Sequence, residues 1–344
     1  MRVNRTGEHL TFYGWLRTAV LCGIVLVPGT LPDRQESKCA ELKGSNSAAA
    51  GKEFSDPLLK TVERLIDSNL LVEAREKLKE ATTRQGETHQ SLFLEAKILF
   101  KEEKHLESIK VLERCLELEQ RDPEIYKLIA FNAIRIDRMD IARPALKSAI
   151  QLAPDDYLSH FHLGALYYTG SRFPQAEPEL REAVRLNPSF VPAYLFLGLT
   201  LEELGQESAA AESYRRAIEI TESEKPGGEL PYLYLGRLLY RQNDFPESLP
   251  YLLRAVEINP RSGESWYILA KIYTFRGRNN EAVKALRQSV EADRGYAEPH
   301  YLLSRIYIKE GRDGEAQNEL RVFRELKMLE KKKDDGRRHR SDTP

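Results

Sequence analysis

Residues 173–188 read FPQAEPELREAVRLNP, and seventy-two residues later residues 245–260 read FPESLPYLLRAVEINP. A chain that copies itself at a fixed spacing is constrained more tightly than any composition could constrain it. Each copy is a unit too small to bury its own apolar face, so the copies must stack on one another. The landmarks Gly164, Ala176, Ala183 and Pro188 recur as Gly236, Ser248, Ala255 and Pro260. They also recur at a 34-residue shift as Gly198, Ala210 and Ala217, as Ala270, Ala282 and Ser289, and as Ala130, Ala142, Ala149 and Pro154. About four extra residues in SEKPGGEL account for the two periods plus four that separate the opening pair.

Eight units fit between residues 55 and 330, starting near Ser55, His89, Pro123, Tyr157, Val191, Glu229, Gly263 and Ala297. Each holds two apolar-periodic runs of about a dozen residues split by a short polar turn, the pattern of a helical hairpin. Such turns are TGSRF, RQNDF and KEGRD. Position 4 of each unit is large: Leu58, Leu92, Tyr126, His160, Tyr194, Tyr232, Trp266 and His300. Position 20 is always Ala or Ser, and position 24 always Leu or Tyr. Small residues at position 20 let the second helix (B) approach the first (A), and large ones at positions 4, 11 and 24 fill the layers between hairpins. The prolines at position 18 (Pro174, Pro246) sit in the first turn of helix B, where the missing N–H costs little. Those at position 22 (Pro144, Pro178, Pro250) predict a helix B that begins late or bends slightly.

This pattern resembles the tetratricopeptide-repeat family over about four fifths of the chain. The resemblance implies an all-α, right-handed superhelical solenoid of about eight helix-turn-helix hairpins, with a concave face lined by the A helices. The first two units lack the Gly and Pro landmarks and the last has Phe323 where alanine is usual, as terminal units do.

The segments outside the array differ in kind. Residues 1–30 carry a basic lead with Arg2, Arg5 and Arg17, an uncharged run from Thr18 to Val27, then PGT. That order describes a signal peptide cleaved after Gly29, or an uncleaved N-terminal anchor, and the run is shorter than the ~20 residues of an ordinary membrane span. The chain is therefore expected to be exported, periplasmic or secreted, and to meet a membrane only if this segment stays attached. Residues 31–54 are small and polar and read as a flexible linker. Residues 331–344, KKKDDGRRHRSDTP, read as a disordered charged tail.

Chemistry is not indicated. No phosphate-binding loop, GxSxG or HExxH occurs in the sequence. The three cysteines, Cys22, Cys39 and Cys115, make neither a disulfide framework nor a CxxC pair. His160 and His162 stand two apart on a predicted helix and face apart, so neither a metal nor another cofactor is expected. Lys plus Arg number 52 against 53 Asp plus Glu, a balance that suggests no nucleic-acid partner. What remains is binding. The resemblance places ligand-facing residues at positions 2, 5, 9, 12 and 13 of helix A. In the second unit these include Phe93, Lys97, Phe100 and Lys101; in the third Lys127, Phe131 and Arg135; in the fourth Phe161 and Tyr168. In the sixth they include Arg237, Tyr240 and Arg241, in the seventh Tyr267, Lys271 and Phe275, and in the eighth Tyr301, Arg305 and Lys309. An aromatic and basic groove of this kind, with acidic exceptions at Glu63 and Asp67 in the first unit and Glu202 and Glu203 in the fifth, suits an extended protein or peptide partner of acidic to mixed charge, on a non-catalytic scaffold. A glycan- or cell-envelope-polymer-binding module is the alternative, since the same rings would stack on sugars.

Overall fold

The computed structural model describes residues 56–223 and 228–341. Residues 1–30 and 31–54, read above as a leader and a linker, lie outside the described residues. Sixteen helices and no strand make up the described chain. They are α1 (Pro57–Asp67), α2 (Leu71–Gln85), α3 (His89–Lys101), α4 (His105–Leu118), α5 (Pro123–Arg135), α6 (Met139–Leu152), α7 (Tyr157–Thr169) and α8 (Phe173–Leu186). There follow α9 (Val191–Glu203), α10 (Glu207–Ser223), α11 (Leu230–Arg241), α12 (Phe245–Ile258), α13 (Gly263–Phe275), α14 (Asn279–Ala292), α15 (Ala297–Lys309) and α16 (Asp313–Ser341). Odd-numbered helices are the A helices and even-numbered ones the B helices. The chain divides into two compact units between Gln206 and Glu207. Within each, successive helices pack as hairpins and each hairpin packs on the next. The chain is thus an all-α helical repeat array.

Every A helix ends the same way. The residue at position 15 has a left-handed backbone: Asn69, Glu103, Asp137, Ser171, Gly205, Asn243, Gly277 and Gly311, with φ between 55° and 74°. Its N–H donates to the carbonyl at position 12, and the next N–H donates to the carbonyl at position 11, as in Ser171 to Tyr168 (2.9 Å) and Arg172 to Tyr167 (2.8 Å). This pair of bonds is a Schellman C-cap, which satisfies the last helical carbonyls and turns the chain out of helix A.

The hairpins close through their small residues. A Cβ built on Gly164 would stand 2.7 Å from Leu180 Cγ, and one on Gly236 would stand 2.8 Å from Leu252 Cγ. Ser108 and Ser248, at position 20, donate to the carbonyls of Ala96 and Gly236 at 2.8 and 2.7 Å, so the backbones of A and B are also tied directly. The large residue at position 4 works across the junction between repeats. Tyr126 donates to the Gln120 carbonyl at 3.3 Å and Trp266 Nε1 to the Pro260 carbonyl at 2.9 Å. His160 Nε2 reaches the Pro154 carbonyl at 3.1 Å. In all three the acceptor lies six residues upstream, just past the preceding helix B, where no intrahelical donor is left.

Two expectations need correction. The helices with a proline at position 22 do not begin late: α6, α8 and α12 start at position 17, as α4 and α14 do. Pro144, Pro178 and Pro250 sit inside those helices on exposed surface. There the lost N–H and the ring disturb only the solvent side of one turn. The tail from Lys331, expected to be disordered, instead continues α16 as far as Ser341. Residues 331–341 contain no proline and are rich in Lys and Arg, good helix formers that extend a helix already nucleated by packing.

Candidate functional site

In the first unit the basic residues of the predicted groove are largely neutralised by the chain itself. Lys97 is 3.1 Å from Glu63, which holds the same position one repeat earlier. Arg135 is 3.4 Å from Glu103. Lys127 lies 2.5 Å from Glu124 and 3.3 Å from Asp156. Burial alone would depress the Lys127 ammonium, but those two carboxylates hold it above its ordinary value. Lys101 is exposed, with no carboxylate in ion-pair range among the described residues.

The aromatic residues of this unit mostly pack. Phe100 meets His105 edge-on at 5.5 Å, Phe131 meets His162 at 4.8 Å, and Phe93 is half-buried. Phe161 and Tyr168 are only 1% and 3% exposed. Phe196 of the following A helix covers both, at ring distances of 5.5 and 5.7 Å. Their placement on a ligand-facing surface is therefore a misreading: positions 5 and 12 of this repeat face the next helix rather than an open groove.

The second unit is arranged differently. Arg237 pairs with Glu264 at 3.3 Å and stacks on Tyr234 at 4.9 Å. One repeat on, the Lys271 ammonium stands 4.7 Å from the centre of the Tyr240 ring and 5.2 Å from that of Tyr267, held between two aromatic faces. Tyr240 packs on Phe245 at 5.5 Å, and Phe245 on Phe275 at 4.5 Å. Phe275, one turn beyond Lys271, is 73% exposed. Tyr301, Arg305 and Lys309 occupy one face of α15 at successive turns, all exposed. Neither Lys271, Arg305 nor Lys309 has a carboxylate in ion-pair range among the described residues, and Arg241 is also exposed. The second unit thus gathers an aromatic cluster around a cation with two further cations one repeat away. Sequence reasoning named these residues but could not separate neutralised cations from open ones. The signal lay in the acidic residue at position 9 of the first repeat, Glu63, which pairs with the Lys at that position in the second.

The histidines serve the scaffold. His160 has Glu179 Oε2 2.7 Å from Nδ1 and the Pro154 carbonyl 3.1 Å from Nε2, so both ring nitrogens face acceptors and the imidazolium satisfies both. Burial opposes its protonation, but the Glu179 contact and the Pro154 carbonyl raise its pKa above the usual histidine value. His162 is enclosed by Phe131 and Phe161, and burial pushes its pKa down to about 4.

Family models described as tetratricopeptide repeat match residues 89–122, 132–188, 166–225, 233–297 and 273–325. The chain belongs to the tetratricopeptide-repeat family. The Cell division cycle protein 27 homolog of Caenorhabditis elegans is 28% identical over 108 residues, 31% of this chain and 14% of that protein. Human Protein O-mannosyl-transferase TMTC3 is 28% identical over 151 residues, 40% of this chain and 16% of that protein. This tetratricopeptide-repeat chain therefore spans less than a fifth of either relative's length. The crystal structure of the APC/C hetero-tetramer Cut9-Hcn1 superposes with a TM-score of 0.51 at 15% identity, covering 81% of this chain and 54% of that one. That likeness concerns the fold alone. Tetratricopeptide repeats are protein-interaction modules, and the array described here is of that kind.

Proposed function

We infer that the protein is a non-catalytic scaffold that binds an acidic, extended segment of a partner protein on the A-helix face of its second unit. The observation that carries this reading is the Lys271 site. A cation held between the Tyr240 and Tyr267 rings, without an acidic partner, is pre-positioned for a carboxylate, and exposed Phe275 offers an apolar anchor beside it. Arg305 and Lys309 add two exposed cations one repeat on, on α15. The glycan alternative fits less well, because the Tyr240 and Tyr267 faces that would stack on a sugar are occupied by the Lys271 ammonium. Export follows the reading of residues 1–30 as a cleaved leader.

The test is a fluorescence-polarisation titration of the purified protein with an extended peptide that alternates Glu with Phe, set against its Lys-for-Glu twin. Lys271→Glu should weaken the acidic peptide at least about tenfold, the usual effect of reversing a desolvated charge at a binding site. Lys97→Glu should leave it unchanged, since that cation is already committed to Glu63. Equal affinity for the two peptides, or indifference to Lys271→Glu, would refute the reading.

A further inference from the structure

Within each compact unit, positions 5 and 12 of an A helix are where the following A helix rests. In the seven repeats before the last, no residue at either position is exposed. Phe161 and Tyr168 are covered by Phe196 of the next A helix, and Tyr267 by Tyr296 at the start of α15, at 5.2 Å. The eighth repeat breaks the rule at both positions: Tyr301 is 45% exposed and Ile308 54%. Only α16 follows α15, and it is the B helix of the same hairpin. The place of a ninth A helix is therefore open among the described residues.

The open place is not neutral. Arg305 lies between Tyr301 and Ile308 in the sequence of α15, and Lys309 follows them; neither meets a carboxylate among the described residues. On α16, position 28 is Arg324, exposed, where the six preceding repeats carry Leu116, Ile150, Val184, Ile218, Val256 and Val290. A Tyr and an Ile two turns apart, about 10 Å along the helix, match anchors at i and i+7 of an opposing helix. Cations on both flanks call for carboxylates on both flanks of that helix.

We propose that the end of the array formed by α15 and α16 is a docking site for an amphipathic α-helix of a partner protein, with an apolar stripe and acidic flanks, which stacks as a ninth A helix. In a second copy of this chain the first A helix already gives Leu59, Val62 and Ile66 to its own core, and that occupant is an outcome of the test below. The uncharged run Thr18–Val27 has the apolar residues but no carboxylate. The site shares Arg305 and Lys309 with the Lys271 face but differs from it in ligand form, a helix rather than an extended strand, and in its anchors Tyr301 and Ile308.

The experiment uses the full chain and a fluorescent helical peptide of about 18 residues, long enough to hold a helix when docked. It carries Leu at i, i+3, i+4 and i+7 with Glu on both flanks; a Lys-flanked twin and a peptide with its Leu stripe scrambled are the comparisons. The Glu-flanked peptide should bind, and the other two should not. Tyr301→Ala combined with Ile308→Ala should weaken it at least about tenfold, the loss of two central anchors. Arg305→Glu combined with Lys309→Glu should transfer binding to the Lys-flanked peptide, a gain that a merely unfolded variant cannot show. Lys271→Glu should leave the helix bound while weakening the extended peptide at least about tenfold, which separates failure of one site from failure of the other. Equal binding of the Glu- and Lys-flanked peptides, or no effect of the Tyr301 and Ile308 changes, would overturn the proposal. A dimer in solution that Ile308→Glu dissociates would overturn it too, because a second copy would then cover the face.

Discussion

Exchanging Ser171 for glycine should stabilise this protein, and exchanging Gly277 for serine should destabilise it by a similar amount. Both residues hold position 15, the left-handed C-cap between helices A and B, with φ of 55° and 71°. An L-residue there carries a steric cost of about 1–2 kcal/mol that glycine escapes. Glycine in turn loses more backbone freedom on folding, which offsets about 0.5–1 kcal/mol. The balance favours glycine by roughly 0.5–1 kcal/mol. Contacts add little to this balance. Ser171 is exposed, and a Cβ on Gly277 would meet nothing within 4 Å. Asn243→Gly serves as the internal reference and should change stability less, because asparagine tolerates this conformation better than serine. Urea unfolding followed by far-UV circular dichroism reads the effect as a midpoint shift at constant slope. In thermal scans it amounts to about 2–4 °C per kcal/mol for a unit of this size. If Ser171→Gly and Gly277→Ser both destabilise, the left-handed cap does not govern the turn and the reasoning fails.

Gly236→Ala should destabilise by up to about 2 kcal/mol, because overpacking against Leu252 exceeds the helix-propensity gain of about 1 kcal/mol. A double-mutant cycle with Leu252→Ala should show at least about 0.5 kcal/mol of coupling, and additivity would argue against the close approach. The two histidines of α7 should make stability fall on either side of neutrality. His160, with its pKa raised, contributes stability that is full below about pH 6.5 and lost as pH rises through its folded value. His162, with its pKa lowered to about 4, costs roughly 3 kcal/mol as pH falls from 6.5 through 4. Denaturation midpoints of His160→Phe and His162→Phe between pH 4 and 8 should flatten the alkaline and acid limbs respectively; a limb unchanged in its variant refutes that assignment. Mass spectrometry of the protein from its native host should find a chain beginning at Thr30, and an intact Met1 would show that no leader is removed.

The period of this fold was written plainly in the residues. The Ala or Ser at position 20 and the Leu or Tyr at position 24 announce a close A–B contact, and Leu180 and Leu252 make it against Gly164 and Gly236. The left-handed cap was hidden because only three of its eight residues are glycine, and Glu103 or Asp137 at a turn looks like ordinary solvated charge. Charge pairing defeated the site mapping in the first unit for a related reason. Lys97 and Arg135 have the composition of ligand contacts, and their distances to Glu63 and Glu103 show that they are occupied. Phe161 and Tyr168 failed differently: a helical period of 3.6 says that two residues share a face but not whether that face meets solvent or the next helix. In the second unit Lys271 and Phe275 differ from those residues in that their neighbours are rings rather than carboxylates.

The tie from Trp266 to the Pro260 carbonyl turns one repeat junction into an optical reporter. The chain has two tryptophans, and Trp15 lies within the segment that cleavage after Gly29 would remove. In such a mature protein all indole emission would come from the junction between the sixth and seventh repeats, inside the second unit. A red shift on unfolding would time the opening of that junction alone, while backbone circular dichroism would sum over every helix. Comparing the two curves on one sample would show whether the second unit melts with the first or apart from it, with no label attached.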